Sequence, residues 1–323
     1  MIRRLLSHID LMVRMLLLAI VLASIAPASG RWHDLAQGIS NGAIFLLFLL
    51  NGLRLPRHEV ARGIGHWRFL LPLVIWCFGA MALTGKGFAI LGAGVLPPVV
   101  ALGFLYLGAL PSTVQSATAY SSLAGGNVAN SVISAALLNV MGVFISVPII
   151  SLLGGGAQLE LGVNGLTKVF LVLILPFTIG QLLQDRLHGW ITGHKYLVTW
   201  MDRISIAIAV YVAFSGAVAQ GLWTVVGPDQ WAILLVLVIG FLLFGFVGAW
   251  LLAKLLGLHR PDRIAFQFAG AHKSVAMGAP LAAVLFPPAV AGMVLLPLLA
   301  YHLLQLVASA PLAKRYAAHA PGD

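Results

Sequence analysis

The stretch QFAGAHKSVAMGAP, residues 267–280, sets a lysine inside an apolar run, and Lys273 is the residue best equipped for chemistry in this chain. An ammonium can bind an anion, carry a titratable proton, or stand as a fixed positive charge. The flanking sequence looks like membrane spans on both sides, and Arg263 marks the near edge. Ten residues separate Arg263 from Lys273. At helical rise that is about 15 Å, half of an apolar core about 30 Å thick. Reaching the headgroups from there is difficult. A charged lysine at the centre of a span costs about 2.5–3.5 kcal/mol on insertion scales. It must lose its proton or find acceptors. Carboxylates are not on offer. Asp10, Asp34, Glu59, Glu160, Asp185, Asp202, Asp229, Asp262 and Asp323 all fall in loops or near span ends. Tight sodium sites and proton relays typically carry an intramembrane carboxylate, so no metal ligands are expected. The acceptors that remain are backbone carbonyls at broken helix ends, which bear partial negative charge. A lysine bonded to such carbonyls for structural reasons alone is the competing reading.

The neighbours offer less. His272 could titrate or donate to a solute, or serve as a satisfied structural histidine. Ser274 could bond back to its own helix. Gln115, Ser116 and Thr118 follow a proline break and could face the same place. Ser131, Ser134 and Asn139 lie on the next span; positions 131, 134 and 138 share a helical face, with Asn139 near it. Polar residues of this kind often only join helices, at under about 1 kcal/mol each. His302 and Gln305 read as helix contacts. No GxxxxGK[ST] or HExxH motif occurs, and no nucleophile–base pair or metal-ligand set gathers at one depth. An enzyme, a cofactor and ATP-driven pumping are therefore not expected; transport would be secondary. Cys77, the single cysteine, excludes a disulfide framework within the chain and reads as a buried thiol.

These residues must be positioned by helices in lipid. The 323 residues are 60% hydrophobic and 9% charged, with mean hydropathy +1.00. Soluble domains carry roughly 25% charged residues, so the solvent of this fold is a bilayer. The net charge of +10 comes from basic residues scattered singly between apolar runs, which suits membrane loops rather than nucleic acid. Hydropathy predicts ten spans near 11–28, 37–54, 67–84, 93–124, 127–153, 167–185, 203–223, 230–257, 262–286 and 289–312. The first resembles a signal peptide; Asp10 and Arg14 ahead of its apolar run favour a retained helix. With both termini cytoplasmic, Arg3, Arg4, Arg54, Arg57, Arg62, Arg186, Lys195, Arg203, Lys254, Arg260, Arg263, Lys314 and Arg315 lie inside. Only Arg31, Lys86 and Lys168 then lie outside, as the positive-inside rule asks. Ten spans divide as five and five across the more polar GGGAQLELGVNG, residues 154–165. An odd number per half means the second half enters from the opposite side, the condition for an inverted repeat. The expected organisation is a first repeat over 1–153, a linker over 154–166, a second repeat over 167–314 and a tail over 315–323. The fourth span of each half is interrupted, at Pro111 in the first and at Gly270, Gly278 and Pro280 in the second. Proline removes a donor and clashes with the preceding turn, and glycine weakens a helix. Paired breaks point to a transporter binding site.

Three stretches carry a family resemblance. LPSTVQSATAYSSLAGGNVANSV (110–132), GAHKSVAMGAPLA (270–282) and LLNGLRLP (49–56) are similar to segments of the bile acid–sodium symporter superfamily, in its SBF-like branch of bacterial proteins and a vertebrate relative. The resemblance implies an all-α membrane fold of ten helices in two inverted five-helix repeats. It implies a panel and a core domain, with spans four and nine crossing at their breaks. Sodium-coupled members use a glutamate and a glutamine on span nine. Aligned through Gly270 and Ser274, those positions are Phe268 and His272 here, and the following asparagine is Lys273. On span five, one ligand position matches Ser131 and another is Ala135; the arginine often found before GNV is Gly125. The sodium ligands are thus largely gone, and a proton becomes the coupling ion to consider. The resemblance implies a carrier of a small organic anion in a bacterial inner membrane, working by alternating access, with Lys273 at the sodium or substrate position. A membrane regulator or scaffold that keeps the fold without transporting is the alternative.

Overall fold

The computed structural model describes residues 10–54, 65–154 and 167–319. Glu59, Glu160, Asp323, Arg3, Arg4, Arg57, Arg62, nearly all of the expected linker and the last residues of the tail lie outside the described residues. Within them every regular element is helical. In chain order these are α1 (Leu11–Ile25), α2 (Arg31–Arg54), α3 (Trp67–Gly92), α4 (Pro98–Ala109), α5 (Val114–Leu123) and α6 (Val128–Gly154). They continue with α7 (Thr167–Gly193), α8 (Lys195–Ala219), α9 (Pro228–Leu255), α10 (Arg260–Ala271), α11 (Val275–Leu285) and α12 (Pro288–Ala318). A single turn, Leu222–Val225, links α8 to α9. The expected cytoplasmic tail begins as helix, since α12 runs on to Ala318.

Seven of these helices (α2, α3, α6, α7, α8, α9 and α12) are long and apolar enough to cross a bilayer. The pair α4 and α5, bent by 60° at their junction, makes an eighth. Helix α1, at 15 residues, and the pair α10 and α11 fall outside that count. Two compact units emerge, and each draws helices from both sequence halves. One comprises residues Met1–Pro56, Gln158–Val226 and Ala279–Leu295; the other comprises Arg57–Ala157, Gly227–Gly278 and Leu296–Asp323.

In the first unit α2 and α7 touch backbone to backbone. A Cβ added to Gly180 would collide with the backbone carbonyl oxygen of Leu49 and fall 3.0 Å from the Gly52 Cα, so the contact requires glycine. Gln181 Nε2 donates to the Gly52 carbonyl at 2.5 Å. Arg54 pairs with Asp202 of α8, beside a cluster of Leu50, Leu53, Ile191 and Val198. The described part of the NGLRLP stretch, NGLR (51–54), therefore serves helix packing. Tyr211 of α8 donates to the Ala26 carbonyl at the end of α1, at 2.8 Å. The run GISNG, residues 38–42, has the letters of a nucleophile elbow. It lies inside α2, with Ser40 buried, whereas that motif needs a strand-to-helix turn.

The second unit holds α3 to α6, α9 and α10, the start of α11 and the larger part of α12. Its α3 contains one π-helical segment, Ile75–Ala80. Such segments are rare and collect at functional sites. Both interruptions lie in this unit.

Candidate functional site

The first interruption begins with proline chemistry. Pro111 has no N–H to continue α4, and its ring disfavours the helical region for the residue before it. Leu110 accordingly turns extended, at φ −78° and ψ 151°. The carbonyls that α4 leaves without helical partners are then claimed one by one. Ser146 Oγ donates to Ala109 at 2.8 Å. The backbone N–H of Ser274 donates to Pro111 at 3.0 Å. Asn139 Nδ2 donates to Ser112 at 2.7 Å. The carbonyls of Gly108 and Leu110 both point at Lys273.

The second interruption covers residues 272–274. This corrects the expectation that Gly270, Gly278 and Pro280 mark it: Gly270 lies inside α10, and Gly278 and Pro280 lie inside α11. The physical cause is a pairing partner rather than a helix breaker. Gln305 of α12 grips the Lys273 peptide from both sides. Its Oε1 accepts the Lys273 N–H at 2.9 Å, and its Nε2 donates to the Lys273 carbonyl at 3.2 Å. Ser274 then starts α11 as an N-cap, its Oγ accepting from Met277 N at 3.2 Å. His272 is extended, at φ −75° and ψ 143°. The two interruptions meet directly through the bond from Ser274 N to the Pro111 carbonyl.

Lys273 is fully buried, at 0% exposure. Its Nζ donates to Leu110 at 2.7 Å, Gly108 at 2.8 Å and Cys77 at 3.2 Å, all backbone carbonyls. An ammonium has three N–H groups, so the donor set is spent. Hydrogen bonds to a charged group contribute roughly 1.5–3 kcal/mol each. Three of them outweigh the insertion cost of a mid-span lysine, and no carboxylate is required. The Cys77 carbonyl is released by the π-helical segment: the Met81 N–H bonds to Trp76, not to Cys77 as an α-helix would have it. Gly85 and Gly108 let α3 and α4 approach until a Cβ on either would fall 3.1 Å from the other's Cα. That contact brings carbonyls of two helices within reach of one side chain.

His272, also buried at 0%, sits in an ordered hydrogen-bond chain. Ser309 donates its hydroxyl hydrogen to the Gln305 carbonyl at 2.6 Å, so at 2.8 Å it must accept from His272 Nε2. The proton is thereby assigned to Nε2. Nδ1 then accepts from Ser116 at 2.9 Å, and Thr113 donates to Ser116 at 2.5 Å. Tyr120, Phe246 and Phe268 present edge-on contacts 5.8 to 5.9 Å from the imidazole. The second hydrogen of Gln305 Nε2 goes to His302 Nδ1 at 2.9 Å.

Lys273, His272, Ser274, Ser116, Asn139 and Pro111 thus converge. Thr118 and Ser131 form a separate contact at 3.5 Å, Ser134 bonds to the Ser131 carbonyl, and Gln115 faces outward. Sequence reasoning undervalued Gln305 and His302 and overlooked Thr113, Ser146 and Ser309. It also passed over Asp262, whose Oδ1 accepts from Asn127 and Asn130 at 2.8 Å each. The asparagines of GGNVAN were the available signal. Among the described residues no group of His, Cys, Asp and Glu is arranged to hold a metal.

The family model for the SBF-like CPA transporter family matches residues 10–318. The chain is 37% identical over 305 residues to "Putative symporter YfeH" of Escherichia coli, covering 93% of this chain and 91% of that one. It is 23% identical over 282 residues to sodium/bile acid cotransporter 7 of Rattus norvegicus, covering 83% of this chain and 80% of that one.

Proposed function

The chain belongs to the SBF-like CPA transporter family, and from that premise we propose that it is a secondary-active carrier of a small organic anion, working by alternating access around the Lys273 ammonium. Membership makes it an integral membrane transporter rather than an enzyme. The finer reading rests on one observation. The Lys273 amino group is held where two broken helices meet, within hydrogen-bonding distance of three backbone carbonyls.

Because its three N–H groups are occupied, Lys273 acts as a resident cation rather than as a direct ligand of the solute. It supplies at mid-membrane the charge that a bound metal ion would supply. A positive field there favours an anion. Gln115, exposed past the first break, and Thr118, which also accepts from Ser131, are the polar groups that would meet it. His272, with Ser116 and Thr113, would be the route by which a proton, if it is the coupling ion, reaches the crossing. Sodium coupling is not part of this reading.

The repeat organisation belongs to the same proposal. Counting α1, the α4–α5 pair and the α10–α11 pair as spans gives ten, in repeats over 1–153 and 167–314. The last helix of each half carries an amide that claims the break of its own half. Asn139 takes the Ser112 carbonyl, and Gln305 takes the Lys273 carbonyl. That correspondence supports two related five-helix units. The bacterial relatives favour an inner membrane, and the basic residues gathered in the inner loops favour cytoplasmic termini.

Uptake in proteoliposomes tests the proposal. Lys273→Ala is expected to abolish uptake of organic anions while the protein still inserts, and exchanging sodium for potassium is expected to change little. Retained uptake in the variant removes Lys273 from the mechanism. A steep sodium dependence overturns the resident-cation role. If no organic acid raises the melting temperature of the wild-type protein, a non-transporting regulator becomes the better reading.

A further inference from the structure

Resting on the role of Lys273 as a resident cation, we propose that the carbonyls of Cys77, Gly108 and Leu110 form a preformed monovalent-cation site, which takes a free primary ammonium once the lysine side chain is removed. The oxygens owe their positions to features independent of that side chain. Cys77 is freed by the π-helical segment, because Met81 bonds to Trp76. Leu110 is turned extended ahead of Pro111. Gly108 is carried against α3 by its contact with Gly85. The alternation along the α4 end sharpens the point. Ala109, Pro111 and Ser112 are claimed by Ser146, Ser274 and Asn139. Gly108 and Leu110 are the two left aimed at one point, so the oxygen cluster outlives the loss of its occupant.

The ligand class follows from the same geometry. Distances of 2.7, 2.8 and 3.2 Å are N–H···O distances, and three convergent acceptors match the three N–H groups of a primary ammonium. The side-chain stem occupies a buried path, since Lys273 has 0% exposure. Truncation leaves space for a short alkyl tail. A quaternary ammonium has no N–H and cannot make these bonds.

The test uses full-length Lys273→Ala in detergent and follows its melting temperature at matched ionic strength. Addition of n-propylammonium, the part of the lysine side chain that alanine lacks, is expected to raise it by several degrees and to leave the wild type unmoved. Tetramethylammonium should not act on either. No response to propylammonium overturns the site, as does an equal response in the wild type or to tetramethylammonium. Should Lys273→Ala fail to give monodisperse protein, Lys273→Met fills the path without charge; it should melt below the wild type and ignore the amine. A Met variant as stable as the wild type also overturns the site. Melting needs no transport, so the two claims fail separately. An amine response with uptake intact leaves the site and removes the transport role. Lost uptake with no amine response does the reverse.

Discussion

The two interruptions are built at the same spot by opposite means. The first is imposed from within its own sequence. Pro111 ends α4, and the freed carbonyls are collected by donors from other segments: Ser146, Asn139, Ser274 and Lys273. The second contains neither proline nor glycine, and it opens because Gln305 offers the Lys273 peptide a partner that a helix would deny it. One break is therefore a supplier of acceptors and the other a supplier of donors. The contrast is plainest at Ser112 and Lys273, the two residues whose carbonyls are claimed by amides from α6 and α12. Lys273 spends its side chain on three bonds across the crossing. Ser112 is equally buried, and its hydroxyl makes no hydrogen bond. A positive charge is thus needed on one side only, and the other side needs nothing but its backbone.

The comparison is tested most severely at Gln305. Gln305→Leu keeps the volume and leaves a buried N–H and a buried carbonyl without partners. Each such group costs about 1–3 kcal/mol, so a loss of about 2–6 kcal/mol is expected, read as a lower melting temperature in detergent. The second break should then lose definition and carry Lys273 with it, so uptake should fall by more than stability alone explains. A variant that melts and transports like the wild type would mean that the break is set by its local sequence after all.

Asn139→Leu is the matching experiment on the first break, and it should be milder. Only the Ser112 carbonyl loses its donor, because the other Asn139 bond goes to Ala135 within α6. Pro111 still prevents the helix from continuing. About 1 kcal/mol is expected, with uptake reduced rather than lost. An effect equal to that of Gln305→Leu would erase the distinction between a break imposed by proline and a break imposed by pairing.

The same distinction explains what could be read in the sequence. Apolar runs, the absence of mid-span carboxylates and the isolation of Lys273 are local properties, and they suffice for a membrane fold and its principal charge. Pro111 is legible because proline acts on its own backbone. The second break was legible only to within a few residues. Its cause is a side chain 32 residues further on, and Gln305 is indistinguishable in the sequence from an ordinary polar contact between helices. The π-helical segment at Ile75–Ala80 has no compositional mark at all. It becomes intelligible once the Met81 N–H is seen to pass over the Cys77 carbonyl for that of Trp76, which leaves an oxygen for Lys273 to take. His272 was legible as a candidate, but its protonated nitrogen follows from Ser309, whose hydroxyl is committed to Gln305.

The smallest effect is expected at Ser112, and it is the most discriminating for that reason. A buried hydroxyl without a partner carries a desolvation cost, so Ser112→Ala should be neutral or slightly stabilising, within about 0.5 kcal/mol. The Ser112 carbonyl keeps its bond from Asn139, and the positions of Gly108 and Leu110 are unaffected. Uptake measured beside melting gives the answer two parts. Unchanged stability with unchanged uptake means that the first break contributes backbone oxygens alone and that the side chain across from Lys273 is idle. Unchanged stability with a large loss of uptake means that the Ser112 hydroxyl finds its partner elsewhere in the transport cycle. The asymmetry between the two breaks would then be a feature of one conformation, and the charge on Lys273 would have a counterpart that appears only when the carrier turns over.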